Sequence, residues 1–446
     1  MSSSALYRDL GEAAWSWVLS HVRQDDGPWL PEVVPDLDPA MGPGEDRDSL
    51  YAGIAGMAPV VAEISRARAL SEVERSLADG IEARLCALAP ARTEASLYLG
   101  LGGDVTALRL LAPGREQLAL RRLTELITPA GWNSTLEMEP GSVEPVTDLV
   151  LGTAGVVLAA VWAGGEHTQE LAATGGEAML RVAEPTPGGL DWGMLPGSPS
   201  KGPNYSHGTA GVATALAIAG LVLDRDDFVS AARQGAAHLL AIGSLDDGGF
   251  IVPHTLPYST RDVEPVTYTW CHGPAGTSHL FAALGRAGVE EVAGLEVAHL
   301  RQRCLQSILD SGVPQRLRPG FWDNDGRCCG TAGVGDVLLD AAQDCPDPAR
   351  AETLLRAACV MADALAERAI RDDAGARWRF VEHRQDPPLL PPGTSWMQGA
   401  AGIAAFLLRL ARVLDHGLRA PVVDRPDQWW AVPAEVRTVH RGHHPV

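Results

Sequence analysis

The chain alternates long apolar runs with amphipathic stretches, a pattern typical of helices packed in two layers. Apolar runs such as Val156–Trp162 and Ile403–Leu410 hold only one charged residue between them. Stretches between such runs, for example Ala351–Met361, repeat apolar positions at helical spacing with charged residues interleaved. Runs that are apolar all round predict buried helices, and amphipathic stretches predict helices with one solvent-exposed face. Because no alternating β pattern accompanies them, the sequence predicts an all-α fold.

One short motif precedes each apolar run: a glycine, two further residues and a second glycine. It occurs seven times, beginning at Gly53, Gly100, Gly152, Gly208, Gly273, Gly330 and Gly399. Each interval has room for two helices and their connections, so we expect seven helical hairpins. We expect the first glycine to supply a special backbone angle at the helix start. The second, one turn later, is expected to let another backbone approach closely.

Seven hairpins can form a closed α/α toroid, which is a double ring of helices, or an open α-solenoid. Open arrays usually carry polar caps, whereas the last motif, Gly399–Gly402, is as apolar as the central ones. We therefore expect a closed α/α toroid, with the motif-bearing helices in its inner ring. Turn-rich segments precede several motifs, so their loops should gather at one end of the ring and hold a site. Residues 1–446 are expected to form one domain, with an irregular tail from about residue 421.

Composition narrows the possible functions. The 446 residues carry a formal net charge of −20. Nucleic-acid binding would need a basic footprint, so we do not expect a nucleic-acid partner. The first residues lack the basic and apolar segments of a signal peptide, and no apolar run is long enough to span a membrane. Seven cysteines, an odd number, indicate reduced thiols in a cytosolic protein.

Cysteines stand directly before two of the motifs. Cys271 and Cys328 each lie two residues before a motif glycine, and Cys329 follows Cys328. Equivalent positions of successive repeats should face the same space, and zinc in catalytic sites takes three protein ligands and leaves one position open. We therefore predict a Zn²⁺ site formed by Cys271, Cys328 and Cys329. His272 is a weaker candidate ligand, and His279 is expected to be a packed histidine.

The remaining cysteines fall in or beside helical stretches, where small buried thiols are common. We expect packed, unreactive side chains at Cys86, Cys304, Cys345 and Cys359.

A histidine and an aspartate precede the motifs of two earlier repeats. His207 lies directly before Gly208, and Asp148 lies four residues before Gly152. A histidine that faces a metal-bound thiolate is suited to proton transfer near neutral pH, and a carboxylate can orient its imidazole. The alternative for His207 is a capping or core histidine. For Asp148, capping the following helix is an equally good interpretation.

These motifs in this order resemble the lanthionine synthetase C-like family, the cyclases of lanthipeptide biosynthesis. The resemblance runs from about Leu50 to Leu410 and includes Ser206-His207-Gly208, Trp270-Cys271-His272-Gly273 and Cys328-Cys329-Gly330. It implies an α/α toroid of seven helical pairs and zinc bound by Cys271 and Cys328. The third ligand of that family is usually a histidine, and Cys329 stands in its place, as in the branch with three thiolates. His207 and Asp148 match the proposed acid/base pair.

One position departs from the family pattern. Some members carry an arginine four residues before the first cysteine ligand, and this chain has Thr267 there. His254, Arg261 and Tyr268 are candidates to take the place of this arginine in contacting the enolate intermediate, which forms when a thiol adds to the dehydrated residue.

The resemblance implies that a cysteine thiol of a dehydrated precursor peptide adds to dehydroalanine or dehydrobutyrine, forming a thioether ring. Separate dehydratase or kinase-lyase enzymes would supply that precursor, because the chain shows no such segment. Two other functions stay open: zinc-dependent addition of thiols such as glutathione to other electrophiles, and a non-catalytic scaffold with structural zinc. From Pro421 we expect a disordered polar tail, whose His440, His443 and His444 could alternatively bind metal.

Overall fold

The fold is described from a computed structural model of this chain. The structure describes residues 2–34, 44, 46–134, 145–199, 201–246, 248–257, 265–315, 324–382, 386–430 and 432. Fourteen α-helices lie in these residues. They are α1 (Ser3–Ser20), α2 (Met57–Ala67), α3 (Glu72–Leu88), α4 (Leu101–Leu111), α5 (Gln117–Leu126), α6 (Thr153–Ala163), α7 (Thr168–Arg181), α8 (Thr209–Leu223), α9 (Asp226–Ile242), α10 (Pro274–Arg286), α11 (Val297–Asp310), α12 (Thr331–Asp344), α13 (Pro348–Arg368) and α14 (Ala400–His416).

The helices form two layers, of which the inner one is a closed ring, as the repeat pattern predicted. Inner helices α2, α4, α6, α8, α10, α12 and α14 each contact the next, and α14 contacts α2. Helices α3, α5, α7, α9, α11 and α13 pack against them from outside. The seventh pair is not a hairpin, however: the outer partner of α14 is α1, from the other end of the described chain. The toroid is therefore closed by two helices that are far apart in sequence.

Burial separates the two rings. Every residue of α6 is buried, and so are the first twelve of α8, whereas α9 buries one face. Burying a valine or leucine side chain contributes about 1.5–3 kcal/mol, so the apolar inner helices are stable only when enclosed.

The glycine motifs allow a close approach of backbone to backbone. None of the seven first glycines has a positive φ; their values lie between −98° and −165°. The expectation of a special backbone angle there is wrong. Instead, a Cβ on either glycine would lie 1.8 to 2.9 Å from the carbonyl oxygen six residues earlier. That loop folds over the helix start and accepts hydrogen bonds from N–H groups that have no partner within the helix, as Val146 does from Thr153.

A closed ring of seven backbone hydrogen bonds links the loops in front of the inner helices. Each bond joins the amide N–H two residues before one motif glycine to the equivalent carbonyl of the next repeat, with N···O distances of 2.9 to 3.3 Å. The seven residues are Tyr51, Tyr98, Val150, Ser206, Cys271, Cys328 and Met397. We call them the hydrogen-bonded ring and the end of the toroid that they form the site end. Their side chains are thus held at equivalent positions.

Short antiparallel pairs of strands connect some helices. They are β1 (Glu184–Thr186) with β2 (Gly189–Asp191), β3 (Glu291–Val292) with β4 (Leu295–Glu296), β5 (Ile370–Asp372) with β6 (Gly375–Arg377), and β7 (Arg379–Val381) with β8 (Leu389–Pro392). Across the described residues, none of the helices is both long and apolar enough to cross a membrane.

The described part of the tail, residues 421–430 and 432, has no helix or strand, yet Val423, Arg425, Asp427, Gln428 and Trp429 are buried. For these residues the expectation of a disordered polar tail is wrong. His440, His443 and His444 lie outside the described residues.

Candidate metal centre

Three cysteine sulfurs converge at the site end. Cys271 and Cys328 belong to the hydrogen-bonded ring, and Cys329 follows at the next position. Their three Sγ atoms lie within 4.8 Å of one another, and Cys271 Sγ is 3.5 Å from Cys329 Sγ. All three side chains are buried, and none forms a disulfide. The structure therefore brings together the three cysteines that the sequence singled out.

The spacing of the sulfurs suits a tetrahedral metal ion. A tetrahedron with Zn–S bonds of about 2.3 Å has S···S edges of about 3.8 Å, close to the spacing here. Among the described residues, no other group of three or more His, Cys, Asp or Glu side chains converges in this way. The donor set thus fits Zn²⁺ bound by three thiolates, and their role as ligands remains a prediction.

The three thiols do not titrate alike. Hydrogen bonds from Cys271 and Cys329 hold the pKa of Cys328 well below its ordinary value. Burial raises the pKa of Cys271, and hydrogen bonds to the other two cysteines raise that of Cys329. The cluster therefore favours one thiolate, at Cys328, and a bound cation would stabilise the other two.

Two hydroxyl groups that were not predicted from the sequence face the sulfurs. Thr269 Oγ1 lies 3.3 Å from Cys271 Sγ, and a hydrogen bond from Tyr51 is among the causes that lower the pKa of Cys328. Tyr51 stands two residues before Gly53, in the same register as Cys271 and Cys328. That shared register could have predicted that Tyr51 faces the sulfurs, whereas nothing in the sequence pattern distinguishes Thr269.

His207 and Asp148 form a hydrogen-bonded pair beside the cysteines. His207 Nδ1 lies 2.5 Å from Asp148 Oδ2, and the Asp148 side chain is fully buried. Burial lowers the pKa of His207, but the charge and hydrogen bond of Asp148 outweigh it and leave the pKa above its ordinary value. The His207 side chain is 32% exposed, so the ring reaches both the carboxylate and the solvent. This arrangement suits proton transfer.

The other candidate histidines lie outside the group of sulfurs. His272 stands between His207 and His254, with ring centroids 5.6 and 4.2 Å away respectively. His279 stacks on Tyr205 at 4.9 Å, as expected for a packed histidine.

The position that departs from the family pattern is closed to solvent. Thr267 is fully buried, with Oγ1 3.4 Å from Thr269 Oγ1. Of the candidate replacements, His254 is buried, Tyr268 is half-buried, and Arg261 lies outside the described residues. The four cysteines expected to be packed thiols are buried at Cys304 and half-buried at Cys86, Cys345 and Cys359.

A cleft of about 190 Å³ opens near the seventh motif. Its lining includes Gln398, which occupies the register of His207 and Cys329 and whose Nε2 donates to the Tyr51 hydroxyl at 3.0 Å. The cleft thereby adjoins the residues around the sulfurs. It is lined by Glu32, Val33, Phe380, Glu382, Leu390, Gly393, Ser395 and Gln398.

Comparison with known proteins gives one family and one fold. Residues 44–414 match the family described as "Lanthionine synthetase C-like protein". No curated protein matches in sequence. A solved structure titled "Nisin cyclase" is 14% identical, and the match covers 87% of this chain and 91% of that chain with a TM-score of 0.56. At this identity the likeness speaks for the fold alone, and it confirms the expected α/α toroid.

Proposed function

The chain belongs to the lanthionine synthetase C-like family, as its motifs predicted, and we propose that it is a zinc-dependent lanthipeptide cyclase. In this reaction a cysteine thiol of a dehydrated precursor peptide adds to the β-carbon of dehydroalanine or dehydrobutyrine. The product is a lanthionine or methyllanthionine ring. The observation that carries the proposal is the buried group of three sulfurs, all within 4.8 Å, beside a His207–Asp148 pair.

Cys271, Cys328 and Cys329 would hold the zinc ion, whose chemical contribution is to favour the thiolate form of a substrate cysteine. Three protein thiolates around Zn²⁺ carry a net charge of about −1, which favours a nucleophilic sulfur over a strongly acidified one. Thr269, by its hydroxyl contact with Cys271, moderates that negative charge. The cleft beside Gln398 offers room for peptide flanking the reacting cysteine.

His207 is the proposed acid/base. Asp148 engages Nδ1, which leaves Nε2 as the nitrogen that exchanges a proton with the substrate. The sulfur gives its proton to His207 Nε2, the S–C bond forms at the β-carbon, and the electron pair of the double bond moves toward the α-carbon. His207 Nε2 then delivers a proton to the α-carbon. The addition is redox-neutral and needs no co-substrate. Its substrate must already be dehydrated, and we propose that a separate dehydratase or kinase-lyase enzyme supplies it.

The test uses a synthetic peptide with one dehydroalanine and one cysteine, incubated with zinc-loaded protein. Because ring closure leaves the mass unchanged, free thiols are counted by alkylation and mass spectrometry. We expect the alkylated fraction to fall much faster than without protein. Metal analysis should give about one zinc per chain, lost in the Cys271→Ala, Cys328→Ala and Cys329→Ala variants.

The matched control is Cys304→Ala, which removes a buried thiol of α11 and should retain both zinc and activity. Full zinc retention in Cys328→Ala and Cys329→Ala would remove the ligand assignment. In a parallel incubation with added glutathione, glutathione adducts in place of rings would support the alternative of intermolecular thiol addition. Zinc binding with neither product would support a scaffold.

A further inference from the structure

The segment after α14 lies in the middle of the toroid. We call residues 421–430 the central segment. It has no regular secondary structure, but Arg425, Asp427 and Gln428 are only 5%, 7% and 1% exposed. A segment without backbone ladders needs other partners for its buried polar groups, and these partners show what it holds in place.

The chain reaches this position by reversing after α14. Gly417 has a φ of +81°, which favours glycine, and it ends the helix. Gln343 of α12 then donates to the carbonyls of Leu418 and Ala420, both at 3.0 Å. Arg412 of α14 donates to the carbonyl of Pro421 at 3.2 Å. Two inner helices thus direct the chain toward the axis.

Buried ion pairs connect the central segment to the loop that carries Cys328 and Cys329. Arg425 Nη2 lies 2.9 Å from Asp336 Oδ2, and the same oxygen accepts a hydrogen bond from Arg327 Nη2 at 2.9 Å. Arg327 directly precedes Cys328 and Cys329. All three charged side chains are buried, where such pairs are held in fixed geometry. Arg425 is therefore joined through one carboxylate to the residue beside two of the candidate ligands.

Hydrogen bonds to Asp427 connect the central segment to the loop that carries His207. The Tyr205 hydroxyl donates to the backbone carbonyl of Asp427 at 2.7 Å, and the Tyr98 hydroxyl donates to Asp427 Oδ2 at 3.2 Å. Tyr205 directly precedes Ser206 and His207. Tyr98 and Ser206 are both members of the hydrogen-bonded ring. Asp427 thus touches the second and fourth repeats at once.

An inert filler of the ring would be apolar, because replacing buried ion pairs by packed hydrophobic groups is often neutral or stabilising. The central segment instead directs buried charges and hydrogen bonds to residues next to the candidate ligands and the candidate acid. Trp429 adds an apolar anchor, with its ring 5.4 Å from that of His279 and Arg301 stacked at 4.4 Å.

We propose that Arg425 and Asp427 are positioning residues that set the loops carrying Cys328 and His207 relative to one another. The inference deepens the proposed function and rests on it for the role of His207. The part that concerns Cys328 is tested by metal binding alone, without substrate.

The first test is Arg425→Met, with Arg425→Lys as the conservative variant. Loss of a residue that orients metal ligands typically weakens binding by about 10–100-fold, and we expect that increase in the zinc Kd for Arg425→Met, measured by competition with a chromogenic chelator. Arg425→Lys should restore part of the zinc affinity, since a lysine can still pair with the negative charge of Asp336. In the cobalt-substituted protein, the sulfur-to-metal charge-transfer band of Arg425→Met should shift. An unchanged zinc Kd and band in a folded variant would overturn the metal half of the proposal.

The second test is Tyr205→Phe, which removes only the hydroxyl bonded to Asp427. Loss of one hydrogen bond should lower kcat by about 2–10-fold and leave the zinc Kd unchanged. The matched control is Tyr7→Phe: Tyr7 is also buried, and its hydroxyl donates to Asp363 at 2.6 Å between α1 and α13, in the outer ring.

Tyr7→Phe should lower the unfolding temperature but change neither kcat nor zinc Kd. If both tyrosine variants change stability alone, the acid/base half of the proposal is wrong. Should Arg425→Met fail to fold, Arg425→Lys and Tyr205→Phe decide the question. If the wild-type protein forms no rings but Arg425→Met still loosens zinc, the proposed function fails while the positioning of Cys328 stands.

Discussion

At the scale of single residues, Asp148 unites two interpretations that the sequence left open. Its Oδ2 contacts His207 Nδ1, and its Oδ1 accepts a hydrogen bond from the backbone N–H of Leu151 at 2.6 Å. The carboxylate therefore fixes the turn before α6 and the histidine ring together. Orientation of His207 does not depend on its own loop alone, because the aspartate belongs to the preceding repeat.

We expect His207→Ala to retain zinc and to lower the rate of ring closure by about 10²–10⁴-fold, the usual contribution of a general acid/base. Asp148→Asn should have a smaller effect of the same kind, because the amide oxygen can still accept from Leu151 while the charge facing the imidazole is lost. Single-turnover cyclisation and metal analysis measure both. His299→Ala, which removes an exposed histidine of α11, should change neither.

Loss of zinc in His207→Ala would make the histidine a ligand in place of one cysteine. A normal rate would place the acid elsewhere, with His254 or Tyr268 as the next residues to examine.

At the scale of one element, each inner helix depends on its second glycine for the packing of its first turn. In α10, a Cβ on Gly276 would lie 2.0 Å from the Trp270 carbonyl oxygen and 2.5 Å from Tyr205 Cβ. Backbone on one side and a buried aromatic residue on the other leave no route for relaxation. Trp270 also directly precedes Cys271, so the packing of this turn bears on the metal-binding loop.

Gly276→Ala should therefore destabilise the protein by about 3 kcal/mol or more, the upper range for overpacking a core. Gly285→Ala, near the other end of the same helix, meets only Val297 Cγ1 at 3.7 Å and should be stabilising by up to about 1 kcal/mol through helix propensity. Urea unfolding followed by circular dichroism compares the two. Equal midpoints would show that the motif glycine is not needed for close approach.

At the scale of the whole molecule, closure is a property of the two ends of the described chain. Helix α1 packs against α14, and Trp15 Nε1 of α1 donates to Glu74 Oε1 of α3 at 2.8 Å. The same Glu74 closes a capping box with Ser71 at the start of α3. We propose on this basis that the chain is one domain, because its seventh helical pair forms only when the rest of the ring is complete.

The size of this core predicts that zinc is not needed for folding, unlike the zinc in a small zinc finger. Protein treated with a chelator should keep its helical circular dichroism while losing cyclisation, and added zinc should restore the activity. The Cys328→Ala variant, which we expect to bind no metal, controls for direct effects of the chelator. Collapse of the helical signal in the wild type alone would indicate structural zinc and favour the scaffold hypothesis.

Much of the architecture was predictable because it repeats along the chain. Apolar runs, amphipathic stretches and the glycine spacing predicted seven inner helices, and the shared register of Cys271 and Cys328 predicted that their sulfurs meet. Register carries this information because equivalent loops are joined by the hydrogen-bonded ring. Their positions before the motifs also suggested the roles of His207 and Asp148, which match the family's proposed acid/base pair and stay predictions.

Features that do not repeat were decided by the tertiary structure alone. The pairing of α1 with α14, the hydroxyl of Thr269 beside Cys271, and the burial of Arg425 and Asp427 leave no periodic trace in the sequence. The helix pairing and the burial of Arg425 and Asp427 depend on contacts that form only when the ring is closed, whereas the Thr269 contact depends on the conformation of its own loop. The composition of residues 421–430, which form an irregular segment, predicts a solvated tail. The segment is buried because the closed ring offers partners for its charges, which no local pattern can show.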